Sequence, residues 1–285
     1  MKFHSILLDC MLTIAFCVGL CACGDDNSAT SVEKNGQDST SDKKEVWDYL
    51  NPNVVYSEMT DTRDGQVYKI VTIGTQTWMA ENLNYAYLGV KYKSGDYSIH
   101  TSDSTSWCFD NGTVEWEGCS QYGRLYTWSA AIDSVAMVND TSNSQICGYG
   151  KICSITTPIQ GVCPEGWHLP SKTEWDVLIT SVGGLDLAGQ TLKSISSWCY
   201  NLNGLDTYGF SVLPAGHFLG GSYGLFELSC TEASFWTSSE YVNEDYNDGL
   251  YSYHLHIGYF GGKPDNVAWL PGGKDYGFSV RCVKD

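Results

Sequence analysis

Between Gln66 and Met79 the chain reads QVYKIVTIGTQTWM, alternating β-branched or aromatic residues with polar ones on either side of Gly74. A period of two belongs to a strand with one buried face, so this stretch predicts a hairpin, entered through a turn at Asp64-Gly65. Further on the period changes: Leu125, Trp128, Ala131, Ile132 and Val135 fall at helical spacing and predict a short helix from Leu125 to Val135. Ser171-Lys172-Thr173-Glu174 has the spacing of a capping box, in which the serine hydroxyl accepts from the Glu174 amide and the glutamate reaches back to the Ser171 amide. Trp175, Leu178, Ile179 and Val182 then form an apolar stripe that Gly183-Gly184 ends. A second short helix is expected from about Leu185 to Ser194. Beyond it come strands at Phe210 to Leu213, Ser234 to Ser238, Leu250 to Ile257 and Gly277 to Val283, separated by glycine-rich turns. Helices early and strands late imply an α+β fold, two short helices packed on twisted antiparallel strands.

The N-terminus has a different pattern. Lys2 and His4 precede an apolar run from Met11 to Leu20, and Leu20-Cys21-Ala22-Cys23 follows. This is a secretory signal ending in a lipobox, as in bacterial lipoproteins, so residues 1–22 are expected to be removed and Cys23 to carry the lipid. The run is too short to cross a bilayer, which takes about 20 apolar residues. Residues 23–47 hold the lipidated cysteine and a polar stretch with no aromatic residue until Trp47. Such a segment buries too little to offset its ordering entropy and reads as a tether of roughly 25 Å. The folded domain is then 48–285. Gly24-Asp25-Asp26 resembles acidic signals that send lipoproteins outward, so the expected place is the cell envelope, on the surface of the outer membrane.

Composition sharpens this picture. With 33 acidic and 16 basic side chains the formal charge is −17, which argues against a nucleic-acid partner because a polyphosphate is bound by a basic surface. Twelve cysteines are present. Cys10, Cys17 and Cys21 leave with the signal and Cys23 takes lipid, which leaves an even eight in an exported chain, enough for four disulfides. Sequence alone allows 105 pairings. Short polar loops favour Cys108 with Cys119 and Cys147 with Cys153, while Cys163 with Cys282 would tie the second half to the last strand and leave Cys199 with Cys230. Zinc ligation by these thiols is disfavoured, since paired CxxC or HxxxH spacings are absent.

Six ordered blocks run from about residue 60 to the end: DGQVYKIVTIGTQTWMAENL from Asp64, YGRLYTW from Tyr122, CPEGWHLPSKTEW from Cys163, GFSVLP from Gly209, FWTSSEY from Phe235 and GFSVRCVKD from Gly277. Together they resemble the Fibrobacter succinogenes major paralogous domain family. The resemblance implies a disulfide-stabilised C-type-lectin-like fold in an exported protein, with no established activity and no catalytic residues to carry over. Within its motif, Trp167 and Leu169 read as core and His168 as a buried, hydrogen-bonded histidine.

Calcium-dependent lectins bind sugar through a Glu-Pro-Asn or Gln-Pro-Asp loop followed by Trp-Asn-Asp. Here Lys263-Pro264-Asp265-Asn266 puts a cation at the ligand position and the partner motif is missing. The acidic loop at Asn243, Glu244, Asp245, Asn247 and Asp248 departs from an EF-hand at the sixth and twelfth positions, where Asp248 and His254 stand. Asp245, Asn247 and Asp248 are the residues a calcium ion would use, and a solvated loop is the better reading, so no cofactor is expected. His254 and His256, two apart on a strand, share a face, but no third zinc ligand is identifiable.

Aromatic faces stack on sugars, which makes Trp116, Trp198, Tyr223, Tyr246, Tyr251, Tyr253, Tyr259 and Trp269 candidate ligand-binding residues in loops or edge segments. Against that stands the need of a disulfide-rich domain for bulky core rings. The fold is also similar to that of the sulfatase-modifying group of enzymes, yet those need reactive thiols or metal ligands, and GxSxG, HExxH and GxGxxG are absent. The expectation is therefore a membrane-anchored, non-catalytic binding protein for a polysaccharide or another surface ligand. Its rival is a structural adhesion protein that recognises protein, with a hydrolase or modifying enzyme third.

Overall fold

Contacts divide the chain into Met1–Glu45 and Val46–Asp285. The computed structural model describes residues 49–87, 105–108, 118–142, 144–220, 225–227, 230–242 and 249–285, all within the second unit. The expected signal, Cys23 and nearly all of the tether lie outside the described residues.

The expected hairpin is formed by β2 (Val67–Ile73) and β3 (Gln76–Met79), with β1 (Ser57–Thr60) antiparallel to β2. Ile73 pairs with Gln76, so Gly74 and Thr75 make a two-residue turn, and Gly74 takes the positive φ of 60° that such turns require. A five-stranded sheet continues from β3 through β13 (Val283–Lys284) to β6 (Trp167–His168). A six-stranded sheet runs in the order β11 (Lys263–Gly273), β10 (Tyr251–Phe260), β9 (Glu232–Glu240), β12 (Phe278–Ser279), β5 (Arg124–Tyr126) and β4 (Ser106–Cys108). It is antiparallel except where β12 runs parallel to β9. A small ladder pairs β7 (His217–Leu219) with β8 (Leu225–Glu227). The molecule is thus a mixed α/β fold dominated by strands in curled antiparallel sheets.

Among the described residues five short α-helices accompany the sheets: α1 (Gly118–Tyr122), α2 (Trp128–Ala131), α3 (Ser134–Asn139), α4 (Lys172–Ser181) and α5 (Leu185–Leu192). The capping box of α4 is present on both arms, with the Glu174 amide donating to Ser171 Oγ at 3.3 Å and the Ser171 amide to Glu174 Oε2 at 2.8 Å. Trp175, Leu178 and Ile179 of α4 enter a core with Trp78, Phe210 and Phe235. In it the Trp175 ring centre lies 4.7 Å from Trp78, 5.8 Å from Phe210 and 5.4 Å from Phe235. A second core gathers Tyr126, Trp128, Trp236 and Phe278 around the Cys163–Cys282 bridge.

Several expectations need correction. The stripe from Leu125 to Val135 is no single helix. Leu125 sits on β5, paired with Trp107 and Ser279, and Asp133 takes a left-handed conformation (φ 53°, ψ 60°) that separates α2 from α3. Phe210 to Leu213 joins neither sheet. Ser211 has φ 53°, its amide and hydroxyl donate to the Asp206 carboxylate at 2.7 and 2.6 Å, and buried Arg281 donates to the carbonyls of Phe210 and Ser211. Gly277 to Val283 is split into β12 and β13, one in each sheet. Lys263 to Asn266 opens β11 instead of forming a loop, and the described residues hold five α-helices where two packed on the strands were expected.

Four disulfides join Cys108 to Cys119, Cys147 to Cys153, Cys163 to Cys282 and Cys199 to Cys230. Short loop length favours only the first two of these pairs, since Cys163–Cys282 and Cys199–Cys230 close 119 and 31 positions.

Candidate binding site

A cleft of about 690 Å³ opens between the Asp61–Arg63 turn, the segment through Tyr85 and Tyr87, α3 and the loop from Gln145 to Val162. Its volume lies in the range of small-molecule and oligosaccharide sites, roughly 300–1,000 Å³. Two strand tyrosines position one of its walls. Tyr126 of β5 donates its hydroxyl to the Tyr85 carbonyl at 2.7 Å, and Tyr68 of β2 accepts from the Asn84 amide at 3.0 Å. These bonds hold the Tyr85 segment against the sheet although it has no regular structure of its own. Arg63 is fixed on every side: Nε and Nη2 donate to Asp61 at 2.9 and 2.6 Å, Nη1 donates to the Val162 carbonyl at 2.9 Å, and the guanidinium lies 3.9 Å from the Tyr85 ring centre. Burial pushes the Asp61 carboxyl up, but the Arg63 hydrogen bonds and charge outweigh it and hold Asp61 below the usual carboxylate range.

On the opposite wall Asp133 Oδ1 caps α3 through the Ala136 amide at 3.2 Å and accepts the Tyr87 hydroxyl at 2.5 Å. A non-glycine residue in the left-handed region at a cleft is strain of the kind found at ligand sites. Met137, Ile155 and Ile159 supply apolar floor. The arrangement combines tyrosine rings, an arginine stacked on one of them, and carboxylate and amide oxygens. It is suited to hold a flat, hydroxyl-bearing molecule by ring contact and hydrogen bonds.

The aromatic residues singled out from the sequence lie elsewhere. Trp116, Tyr223 and Tyr246, with Asp245, Asn247 and Asp248, fall outside the described residues. Trp198 is a core residue, 5% exposed, with Nε1 donating to Ser194 Oγ and the Val212 carbonyl, both at 3.1 Å. Tyr251, Tyr253 and Tyr259 are on β10, a central strand and not an edge. Tyr251 and Tyr259 are 42% and 52% exposed, and Tyr253 meets Tyr241 edge-on at 5.1 Å. Trp269 on edge strand β11 is held to α4, with Nε1 donating to Asp176 at 2.9 Å and the Lys172 ammonium 4.7 Å above its ring. Tyr85 and Tyr87 were not singled out. Their only signal is two aromatics sharing a side in Asn84-Tyr85-Ala86-Tyr87, a pattern too common to mark a site.

The model of the Fibrobacter succinogenes major domain matches residues 71–284. The chain belongs to this family. No curated protein and no solved structure matches the chain. The blocks that the family resemblance rests on are structural here. CPEGWHLP supplies β6, and His168 is clamped between Glu174 Oε1 at 2.7 Å and Asp285 Oδ1 at 2.6 Å, both carboxylates raising it above the ordinary histidine value, Glu174 the more. GFSVRCVKD supplies β12 and β13, with Arg281 buried between them.

Two further polar clusters of the Fibrobacter succinogenes major domain bear on metal binding. His254 and His256 are joined by residues invisible to local spacing: His217 Nδ1 lies 2.7 Å from Glu232, whose other oxygen is 3.6 Å from His256 Nδ1. Even so, among the described residues no three histidine, cysteine or acidic side chains are set to hold a metal. At Lys263-Pro264-Asp265-Asn266, the ammonium of buried Lys193 reaches Asp265 Oδ1 at 2.5 Å, the Leu202 carbonyl at 2.5 Å and the Pro264 carbonyl at 3.2 Å, beside the Trp198 ring. A side-chain cation thus occupies the oxygen-lined position that a hard metal ion would seek.

Proposed function

We propose that this is an exported lipoprotein, held by lipid on Cys23 at the outer-membrane surface, whose disulfide-stabilised, C-type-lectin-like domain binds carbohydrate without catalysis. The observation that carries the reading is the cleft, where Tyr85 and Tyr87 stand beside oxygen-bearing side chains at a size that suits a sugar chain. Four bridges favour life outside the cytoplasm, and a tether would set the cleft clear of the lipid. Binding is preferred over catalysis because the cleft lining among the described residues includes neither histidine nor cysteine, and Asp133 is engaged in capping α3 and bonding Tyr87.

The test is retardation of the detergent-solubilised full chain in gels that contain polysaccharide. Tyr87→Ala is expected to abolish retardation while Tyr251→Ala leaves it intact. A second reading, adhesion to a protein, is favoured by the exposed Tyr259 and Phe260 at one end of β10, with Tyr251 exposed at its other end. The opposite outcome, binding lost with Tyr251→Ala alone, would move the site to that strand.

A further inference from the structure

We infer that affinity in the cleft is set from outside it: the buried Glu240–Lys274 pair and the Cys147–Cys153 bridge are positioning groups that hold the wall carrying Gln145, Ser154 and Ile155. This deepens the carbohydrate-binding reading and rests on it.

That wall is a loop whose regular structure is the isolated bridge between Gly148 and Lys151. Gln145 and Ser154 line the cleft and close the base of the loop, the Gln145 side chain accepting from the Ser154 amide at 3.0 Å and donating to the Ser154 carbonyl at 3.2 Å. Just inside them the Cys147–Cys153 bridge joins the two arms covalently. A loop held only at its own base can still swing as a unit.

Bonds from the end of the six-stranded sheet prevent this. β9 ends at Glu240 and β11 one residue before Lys274, on either side of β10. The Lys274 ammonium pairs with Glu240 Oε1, with the two side chains 0% and 9% exposed. Each member also bonds the loop. Lys274 Nζ donates to the Lys151 carbonyl at 2.7 Å, and Glu240 Oε2 accepts from the Cys153 amide at 2.9 Å. The Gly150 amide adds a bond to the Gly249 carbonyl at 3.1 Å. The same ammonium lies 4.3 Å from the ring centre of Trp128 on α2, which leads into Ile132 and Asp133 of the lining.

Hydrogen bonds with one charged partner, shielded from water, are the strong kind. A slack wall must be ordered when ligand arrives, and that cost is taken from affinity. Glu240, Lys274, Cys147 and Cys153 are not among the described lining residues, so they act through Gln145, Ser154 and Ile155.

The test is retardation of the detergent-solubilised full chain in gels containing laminarin, xyloglucan, galactomannan or xylan, with the polymer that retards the wild type best. Glu240→Gln keeps the size of the side chain and removes the carboxylate. This variant and Cys147→Ala/Cys153→Ala are each expected to weaken retardation by about fivefold or more. All three changes together should weaken it no further than the worse of the two, because both act on one loop. Gly189→Ala, which presses α5 onto the Asp265 carbonyl at the far end of β11, is the stability control. It should melt earlier and still be retarded like the wild type, with tryptophan fluorescence showing each variant folded at the temperature of the gel. Amide hydrogen exchange gives a second readout: in Glu240→Gln, peptides covering 144–156 should exchange faster while those covering α5 keep their protection. Wild-type retardation in both variants, a loss that Gly189→Ala matches, or a loss without faster exchange in 144–156 overturns the inference and leaves carbohydrate binding standing. Should Glu240→Gln not fold, the bridge variant, which opens only a small loop, decides by the same outcomes. If no polymer retards the wild type, the parent reading fails and this one with it.

Discussion

His254 packs 4.3 Å from the Phe278 ring on β12 and shares its neighbourhood with His256 on its own strand, His217 on β7 and Glu232 on β9. Burial, then the two histidines, push it down to about 3, and burial likewise lowers His256. Both rings keep a buried nitrogen without a hydrogen-bond partner, Nδ1 of His254 and Nε2 of His256, so a proton taken up there meets no acceptor. The unfolded chain protonates the same imidazole near 6.5. Below that pH the unfolded state binds more protons, so stability falls as pH drops from about 6.5 toward 3, and His254 alone accounts for about 2 kcal/mol at pH 5. His168 runs the other way, its contribution being full below the ordinary histidine value and lost as pH rises through its raised one. Urea unfolding at pH 7 and pH 5 stays above the range where Asp61 and Glu174, both lowered, begin to protonate. The wild type is expected to weaken on acidification and His254→Leu to flatten that loss; an unchanged slope in the variant would contradict the assignment. Lys193 gives a second prediction at this scale. Asp265 is 36% exposed and stays solvated when its partner is removed, but Lys193→Met also takes the donor from the Leu202 and Pro264 carbonyls, so it should be destabilised by about 1 to 3 kcal/mol. Because the wild-type ammonium already fills the oxygen-lined position, melting temperature and polysaccharide retardation should be the same in calcium and in chelator.

Among the elements, α5 shows why propensity alone misleads. Gly189 sits in the helix, where alanine is ordinarily better by about 1 kcal/mol. A Cβ at this position would stand 2.1 Å from the Asp265 carbonyl on β11. Gly189→Ala is therefore expected to destabilise by about 1 to 3 kcal/mol through overpacking. Loss of the cap in Ser171→Ala should cost about 1 kcal/mol. Thermal unfolding of both variants decides between helix propensity and close approach, since propensity predicts that the glycine variant gains. The same contrast marks what the sequence made legible. The β2–β3 hairpin and the α4 capping box are local patterns and stand where the pattern places them. The helix expected from Leu125 to Val135 failed because a three-residue strand and two short helices happen to imitate one helical stripe. Strand β11 went unread because Pro264 argues against a strand, though at a sheet edge a proline is tolerated. Yet Gly261-Gly262 before it is the two-residue turn of the β10–β11 hairpin, with φ of 60° and 81°. The cleft was not legible at all. Arg63, Tyr85, Asp133 and Gln160 meet only through tertiary contact, and each alone resembles ordinary surface.

For the whole molecule the decisive connection is the C-terminal segment. It gives β12 to one sheet and β13 to the other, and between them Cys282 bonds Cys163 across 119 positions. On the chain-entropy account a loop of that size is worth about 5 kcal/mol, against about 2 for the Cys147–Cys153 loop, whose separation is 6. Cys163→Ala/Cys282→Ala should therefore lose cooperative unfolding well before Cys147→Ala/Cys153→Ala does, as followed by tryptophan fluorescence in urea. The same bridges limit where the chain can mature, since thiols are kept reduced in the cytoplasm. On the proposed lipoprotein reading export and anchoring bear on one another, because the signal that would carry the chain outward would also deliver it to a compartment in which its sheets can be joined. Replacing Cys23 with alanine separates the two roles. If Cys23 is the acylated residue, the variant should move from the detergent phase to the aqueous phase in Triton X-114 partition, and intact mass should show a loss corresponding to the acyl groups. Its polysaccharide retardation should persist, because the described lining of the cleft comes from residues beyond Asp61. Partition of the variant with detergent, unchanged from the wild type, would remove the anchor from the proposal and leave the binding domain to be explained without it.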